Sequence, residues 1–213
     1  MNKELQDTRK DYIQNVLDRE HVLDSAMDQF SKWYSEYSES NALDVNAMTL
    51  STVNKAGRPT SRIVLLKGIT KGGLEFFTNY ESDKAQEMAS NPWVCLSFFW
   101  PALERQIRIE GRVDKITPEE SDEYFNSRPL GSRIGAWASP QSKVIESREI
   151  LEDRLNKYSI EMAENVSRPP HWGGYRVMPT TIEFWQGRAS RLHDRLRYSL
   201  QEDNTWKIER LAP

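Results

Sequence analysis

The middle of the chain alternates apolar and polar side chains with a period of two, and short turn-forming segments interrupt it. The turns contain Gly57 and the pair Gly72 and Gly73. Alternating side chains lie on opposite faces of a β-strand, and tight turns join strands that run antiparallel. The sequence therefore predicts an antiparallel sheet and disfavours a doubly wound parallel one. The predicted strands are residues 47–53, 60–69, 74–79, 93–100 and 105–116.

Helical patterns flank and interrupt these strands. Residues 3–17 are polar and helix-compatible, and Ser25 can cap a helix whose apolar side chains recur every three or four residues. Thr117 and Glu120 give the capping signature of another helix. This mixture predicts an α+β protein built on a closed or split β-barrel with flanking helices. Helices are also predicted after Ser82 and over residues 147–165, and C-terminal strands over residues 174–179, 180–187, 196–200 and 206–211.

The charge and composition of the chain limit its possible partners. It has 29 basic and 32 acidic residues and a net charge of -3, which argues against nucleic-acid and membrane binding. A charged N-terminus and the lack of about 18 consecutive apolar residues predict a cytoplasmic protein. Residues 1–213 fit one domain, and an apolar content of 38% favours an oligomer. Three histidines without ligand spacing predict no metal site.

Three basic residues stand where they could hold an anion. Arg62 and Lys67 lie on opposite faces of a predicted strand that is otherwise apolar, and Lys84 lies in the first turn of the helix after Ser82. No glycine-rich phosphate loop follows a predicted strand, so side chains would have to hold a phosphate. Arg62 and Lys67 could equally mark solvent-exposed strand ends. The sequence does not establish that Arg62 lies near Lys84.

Two further clusters contain residue types that recognise phosphates or aromatic rings. Tyr124, Arg128 and Ser132 follow the capped helix, where they could also be ordinary surface groups. Residues 185–195 contain three arginines and a histidine, and a solvated charged loop explains them equally well. If this segment is extended, its alternate residues Arg191, His193 and Arg195 would lie on one side, which suits an anionic or aromatic ligand.

Seven motifs resemble those of the pyridoxine/pyridoxamine 5'-phosphate oxidase family. They occur in order across nearly the whole chain. The resemblance implies an FMN-binding split β-barrel that acts as a homodimer, with FMN at the subunit interface and both subunits contributing to each site. The motifs are RIVLLK (62–67), ERQIRIEG (104–111), YFNSRP (124–129), IGAWAS followed by Gln141 and Ser142 (134–142), FWQG (184–187), RLHDR (191–195) and WKIERLAP (206–213).

The resemblance also implies a set of cofactor-binding residues. Arg62 and Lys84 would hold the FMN phosphate. Asp83 stands where the family commonly has a basic residue, which removes one expected phosphate cation. Phe77 stands where a tyrosine is frequent, but the expected backbone contact survives this change. The remaining flavin contacts would come from Ile63, Val64, Leu65, Leu66, Lys67, Phe77, Thr78, Gln106, Gln141, Ser142, Trp185 and Arg195.

The implied reaction makes pyridoxal 5'-phosphate from pyridoxine or pyridoxamine 5'-phosphate. A hydride would pass from the substrate C4' carbon to flavin N5, and O2 would then reoxidise the flavin and give H2O2. Arg191 and His193 are the predicted catalytic residues and would orient the pyridine ring; the sequence identifies no general base. The other predicted substrate contacts are Lys67, Tyr124, Arg128 and Ser132 on the 5'-phosphate, Asp44 in the active site, and Arg9 and Tyr12 from a mobile N-terminal segment within residues 1–20.

A non-catalytic flavin or haem binder, or a pyridoxal-phosphate carrier, is the main alternative, because a fold does not determine a function. A mere flavin binder has no use for a second phosphate site, so the presence together of Lys67, Tyr124, Arg128, Arg191 and His193 argues against this alternative. A nucleic-acid module that uses the cations of residues 191–195 is disfavoured by the net negative charge and by the lack of a basic aromatic platform.

Overall fold

The structure is a computed structural model, and it describes Tyr12 and residues 15–40, 42–162 and 165–213. None of the helices in this described part is long and apolar enough to cross a membrane. The helices are α1 (Ala26–Ser38), α2 (Asp83–Ser90), α3 (Pro118–Ser127), α4 (Leu130–Ala138) and α5 (Glu149–Met162). The strands are β1 (Ala47–Val53), β2 (Pro59–Leu65), β3 (Gly68–Thr70), β4 (Gly73–Asn79), β5 (Trp93–Trp100), β6 (Arg105–Lys115), β7 (Trp172–Gln186), β8 (Asp194–Leu200) and β9 (Trp206–Leu211).

The described strands form one sheet in the order β2-β1-β5-β6-β7-β4-β3, with β8 beside β7 and β9 beside β8. The pairs β3–β4, β4–β7, β7–β8 and β8–β9 are antiparallel. The sheet that the alternating pattern predicts is therefore confirmed. Helices lie between these strands along the chain, which confirms the α+β class.

One compact unit comprises the described residues within Met1–Thr49, together with Cys95–Gly111 and Pro179–Pro213. Its helix α1 buries an apolar face, and Trp33 on that face meets the Phe184 ring edge-on at a centroid distance of 5.2 Å. Phe184 lies in the part of β7 that pairs with β8. Because alternate residues of a strand point to opposite faces, burial of Phe184 directs the next residue, Trp185, to the other face of β7.

The other compact unit comprises Leu50–Val94 and Arg112–Met178. In it, β4 pairs with the first half of β7, where Phe77 lies opposite Gly174. A Cβ at Gly174 would lie 2.3 Å from the Ile116 side chain and 2.7 Å from Phe77, so only glycine permits this close approach. The helices α3 and α4 bury Phe125 and Ile134 in a cluster with Trp172. This cluster supports one wall of the cavity described below.

Several predicted boundaries differ from the structure. The predicted strand over residues 60–69 divides into β2 and β3, whereas the two predicted strands on either side of Pro179 are one strand, β7. Pro179 is tolerated because it lies between the residues that pair with β4 and those that pair with β8. Helix α4 is not in the prediction. Most of the predicted helix over residues 3–17 lies outside the described residues, and residues 15–17 are not helical.

Candidate functional site

A cavity of about 510 Å³ lies in the unit that contains β2 and β4. All of its lining residues except Pro129 and Trp172 are predicted cofactor or substrate contacts. Residues that are far apart in the chain and are predicted to bind cofactor or substrate therefore line one cavity. The lining residues are Ile63, Val64, Leu65, Lys67, Phe77, Thr78, Lys84, Tyr124, Arg128, Pro129, Ser132, Gln141 and Trp172.

Lys84 is a cation of this cavity that three hydrogen bonds hold in place. Its Nζ atom donates to Thr78 Oγ1 at 3.2 Å, to Ser82 Oγ at 3.3 Å and to Gln141 Oε1 at 3.0 Å. Burial lowers the pKa of the Lys84 ammonium, and the neighbouring Arg62 guanidinium lowers this pKa further, although Asp83 and Glu87 oppose the shift. A bound anion would relieve both unfavourable effects, because it would compensate the buried charge.

Arg62 lies near Lys84, because it pairs with Glu87, which follows Lys84 by three residues in α2, but its guanidinium is directed elsewhere. It donates to Thr60 Oγ1 at 2.7 Å and pairs with the Glu87 carboxylate at 3.2 Å. Arg62 is not among the cavity's lining residues. The structure therefore confirms that Arg62 and Lys84 are neighbours but gives only Lys84 direct access to the cavity.

Arg128 presents a second positive charge to the same cavity. Its guanidinium carbon lies 4.5 Å above the Trp172 ring centroid, and burial lowers its pKa despite an opposing contribution from Tyr124. Its Nη1 atom is buried without a hydrogen-bond partner among the described residues. A buried N–H group that lacks an acceptor costs free energy, so this atom suits a ligand oxygen.

Three stacked aromatic rings form the wall of this part of the cavity. Phe77 and Tyr124 stack with centroids 3.8 Å apart, and Trp172 lies nearly parallel to both, 5.5 Å from Phe77 and 6.2 Å from Tyr124. Trp172 thus supports both the Tyr124 ring and the Arg128 guanidinium, and the sequence analysis does not single it out. The feature of the sequence that could have identified Trp172 is its position next to Gly173 and Gly174, which permit close packing.

A second cluster lies in the other compact unit, where β7 ends. The Trp185 and His193 rings lie 4.6 Å apart, and the Tyr12 ring lies 5.7 Å from Trp185 and 5.8 Å from His193. A Cβ at Gly187 would lie 2.6 Å from the Tyr12 ring, so glycine is required for this approach. The structure thus brings together three predicted site residues. Arg9 lies outside the described residues.

The loop that carries the predicted catalytic residues is not extended. Ala189–Arg191 form a short 3-10 turn, and Ser190 and Arg191 have positive φ angles of 56° and 61°. The condition under which alternation would place Arg191, His193 and Arg195 on one side, an extended segment, is therefore not met. The turn places Arg191 close enough to lower the pKa of His193, an effect second to that of burial.

Arg195 is fixed by its neighbours on two sides. Its Nε donates to the buried Glu183 carboxylate at 2.8 Å, and its Nη1 donates to the Ala212 carbonyl oxygen at 2.8 Å. The Glu183 hydrogen bond is the main reason why the pKa of Arg195 is raised. Arg195 also lies opposite Trp185 in the β7–β8 register, so both predicted flavin contacts share one part of the sheet.

The other predicted site residues are less closely connected to these clusters. Leu66 is 5% exposed and lies in the core, and Ser142 follows Gln141 in an exposed loop with a φ of 68°. Asp44 lies in an exposed turn with a φ of 51°, and Gln106 is partly buried in β6. Among the described residues, no group of three or more His, Cys, Asp or Glu could hold a metal ion.

Comparisons with known proteins identify similar sequences along most of the chain. A family described as pyridoxamine 5'-phosphate oxidase matches residues 39–160, and one described as the pyridoxine 5'-phosphate oxidase C-terminal dimerisation region matches residues 172–213. A pyridoxine/pyridoxamine 5'-phosphate oxidase of Burkholderia thailandensis is 56% identical over 211 residues, which cover 98% of this chain and 99% of the relative. One of a Cyanothece species is 52% identical over 214 residues and covers both chains fully.

A solved structure also resembles this chain. PhzG from Burkholderia lata 383, in complex with tetrahydrophenazine-1-carboxylic acid, is 28% identical and has a TM-score of 0.86 over 94% of this chain and 99% of that one. A pyridoxamine 5'-phosphate oxidase-related FMN-binding protein from Nostoc punctiforme has a TM-score of 0.72 at 18% identity, which shows a likeness of fold alone.

Proposed function

The chain belongs to the pyridoxine/pyridoxamine 5'-phosphate oxidase family, and from this membership we propose how its residues carry out the family's reaction. It is an FMN-dependent oxidoreductase that oxidises pyridoxine 5'-phosphate or pyridoxamine 5'-phosphate to pyridoxal 5'-phosphate. Its fold is the FMN-binding split β-barrel with flanking helices. It assembles as a homodimer through its C-terminal region.

The observation that carries the proposed assignment of residues is the cavity with two separate anion-binding groups. Lys84, which donates hydrogen bonds to Thr78 and Gln141, would hold the FMN phosphate. Arg62, which forms an ion pair with Glu87, would add positive charge to this part of the site. The flavin ring would contact the backbone of residues 62–66. When bound, FMN supplies the redox chemistry by accepting a hydride from the substrate.

The second anion-binding group would hold the substrate's 5'-phosphate. Arg128 offers a buried Nη1 without a partner among the described residues, and Lys67, Tyr124 and Ser132 line the same cavity. Arg191 and His193 would contact the pyridine ring. The stacked Phe77, Tyr124 and Trp172 rings limit the freedom of the phosphate-binding side chains, and such ordering reduces the entropy lost on binding. Tyr12, Arg9 and Asp44 would complete the substrate site.

This second group also distinguishes an oxidase from a protein that only binds flavin. A flavin binder needs one phosphate site, whereas this cavity is lined, besides Lys84, by Lys67, Tyr124 and Arg128, which are residue types that bind phosphate. We therefore favour catalysis on a phosphorylated substrate. Oxygen would act as the electron acceptor and H2O2 would be the second product, in the cytoplasm, with residues 1–213 working as one functional domain.

We further propose that FMN lies at the dimer interface and that both subunits contribute to each site. Mixed dimers test this arrangement. Two variants of reduced activity, Arg128→Met and His193→Ala, would be co-expressed with different affinity tags, and the purified heterodimer would be assayed at substrate concentrations below KM. If Arg128 and His193 of one site come from different subunits, one site of each heterodimer is intact, and about half of the wild-type activity per dimer returns. If each site is complete within one subunit, the heterodimer is no more active than the two variant homodimers.

The electron acceptor is tested by stoichiometry. An oxygen electrode and a peroxidase-coupled assay would follow turnover of pyridoxamine 5'-phosphate by the FMN-loaded homodimer. We expect one O2 consumed and one H2O2 formed for each pyridoxal 5'-phosphate. Product formation that needs an added electron acceptor, with no O2 uptake, would contradict this part of the proposal.

A further inference from the structure

His193 accepts one hydrogen bond that determines where its own hydrogen lies. The Arg188 backbone N–H donates to His193 Nδ1 at 3.1 Å. A backbone N–H can only donate, so Nδ1 must provide its lone pair. A neutral imidazole carries one hydrogen, which lies on one of its two nitrogens. The hydrogen of neutral His193 therefore lies on Nε2.

The neighbours of His193 hold the ring in this arrangement. Trp185 packs on the imidazole at a centroid distance of 4.6 Å, and Tyr12 approaches it edge-on. Arg188 is held by its guanidinium, which donates to the Asn15 carbonyl oxygen at 3.1 Å and lies 3.7 Å from an Asp194 carboxylate oxygen. The donor to Nδ1 is thus a backbone group of an anchored residue, and it cannot rotate to become an acceptor.

The same surroundings disfavour the imidazolium form. Burial lowers the pKa of His193, and the Arg191 guanidinium lowers it further. A proton added at Nδ1 would point at the Arg188 N–H, and the hydrogen bond between them would be lost. Near neutral pH, neither nitrogen is then available to accept a proton, because Nε2 carries a hydrogen and the Nδ1 lone pair is engaged.

We propose that His193 acts on the substrate as a hydrogen-bond donor through Nε2 and is not the base that removes the substrate's proton. This inference rests on the proposed contact between His193 and the pyridine ring. Oxidation at C4' would transfer a hydride from carbon to bound FMN and release one proton from the attached hydroxyl or amino group; with the amine substrate, water would then hydrolyse the resulting imine and release ammonia. His193 holds an acceptor atom of the substrate in place while that proton passes to water.

NMR spectroscopy of the wild-type FMN-loaded homodimer tests the tautomer directly. The chain has three histidines, so selective 15N labelling gives three imidazoles, and His193→Gln identifies the signals of His193. Two-bond 1H–15N spectra distinguish a protonated ring nitrogen from an unprotonated one. His171 is an internal control, because its Nε2 lies 3.1 Å from the Ala136 carbonyl oxygen and must carry a hydrogen.

We expect His193 at neutral pH to show an unprotonated Nδ1 and a protonated Nε2; the control His171 should show a protonated Nε2. A hydrogen on Nδ1, or on both nitrogens, overturns the proposal. The measurement needs no substrate and no turnover, so its result does not depend on whether the proposed substrate assignment is right.

Kinetics of three variants test the donor role. His193→Gln places an amide N–H near the position of Nε2, whereas His193→Asn and His193→Ala do not. With pyridoxamine 5'-phosphate, we expect kcat of the glutamine variant to fall by about tenfold or less and kcat of the other two to fall by about 10²- to 10³-fold, the range for loss of one preorganised donor. The acid limb of the kcat/KM profile should persist in the glutamine variant. Loss of that limb, with a fall in kcat as large as in His193→Ala, would show that His193 is the base.

Discussion

Replacing Arg128 by methionine should weaken substrate binding but leave the stability of the protein nearly unchanged. Arg128 is buried against Trp172, and its Nη1 has no partner among the described residues. We expect Arg128→Met to leave the free energy of unfolding of the substrate-free protein nearly unchanged while it weakens the binding of phosphorylated substrate. Methionine keeps an apolar contact with the Trp172 ring, so a packing defect should not obscure the result.

The expected magnitudes follow from the contacts of the guanidinium. An unsatisfied buried N–H costs about 1–3 kcal/mol, and a desolvated cation–π contact returns about 0.5–2 kcal/mol; the midpoints of these ranges differ by less than about 1 kcal/mol, which is the expected net change in unfolding free energy. That corresponds to a shift in Tm of about 2–4 °C. A charge-assisted hydrogen bond to a phosphate oxygen is worth about 1.5–3 kcal/mol, which predicts a loss of about 10- to 150-fold in kcat/KM.

Thermal unfolding and steady-state kinetics with pyridoxamine 5'-phosphate would measure the two quantities. Arg112→Met is a matched control, because it removes the same charge from an exposed side chain whose nearest acidic partner is 3.8 Å away. Unphosphorylated pyridoxamine is the substrate control: its kcat/KM should be the same in wild type and Arg128→Met. Equal losses for both substrates, or a variant destabilised by more than about 3 kcal/mol, would refute the assignment of Arg128 to the phosphate.

Three further predictions concern Lys84, Gly187 and Glu120. Lys84→Met should raise the Kd for FMN by about 10- to 100-fold, since it removes a charge-assisted hydrogen bond, and fluorescence titration should show this; an unchanged Kd would mean that Lys84 does not hold the cofactor. Gly187→Ala would bring a Cβ to 2.6 Å from the Tyr12 ring and so displace Tyr12. This variant should raise KM by up to about 100-fold without changing the Kd for FMN. An unchanged KM would show that Tyr12 does not close over the substrate. A hydrogen bond from Lys71 is the main reason why the pKa of Glu120 falls from 4.5 to about 2. Because this pKa is depressed in the folded state, the stability that Glu120 contributes is present above pH 4.5 and is lost as the pH falls towards 2. Glu120→Gln should therefore make Tm less dependent on pH between pH 4.5 and 2. If Tm of the variant and of the wild type fell in parallel over this range, Glu120 would not be the source of the pH dependence.

Local patterns in the sequence predict much of the fold. The period-two segments correspond to β1, β2, β4, β5 and β6, and Thr117 and Glu120 form the capping box that begins α3. These signals are local, since a strand's alternation and a helix cap each depend on a few neighbouring residues. By contrast, α4 contains Gly131 and Gly135, which weaken the helical pattern, and tertiary packing of Ile134 stabilises it instead.

The candidate site depends more on long-range packing. The proximity of Arg62 to Lys84 requires β2 to lie near α2, and no local pattern encodes that arrangement. Trp172 contacts Phe77 and Tyr124, which are about 50 to 100 residues away in the chain, so its role becomes apparent only in three dimensions. The positive φ of Arg191 likewise contradicts the extended geometry that alternation alone suggests. The resemblance of motifs grouped residues that line one cavity, because family motifs carry this long-range information.

The half-reaction of the flavin tests the central claim most directly. The purified FMN-loaded homodimer would be mixed anaerobically with pyridoxamine 5'-phosphate while the visible absorption band of the flavin is followed, and oxygen would then be admitted. We predict bleaching of the band, its recovery with oxygen, and formation of pyridoxal 5'-phosphate and H2O2. A flavin that stays oxidised with both pyridoxamine and pyridoxine 5'-phosphates would contradict the assignment of this chain as an oxidase and leave a flavin-binding protein.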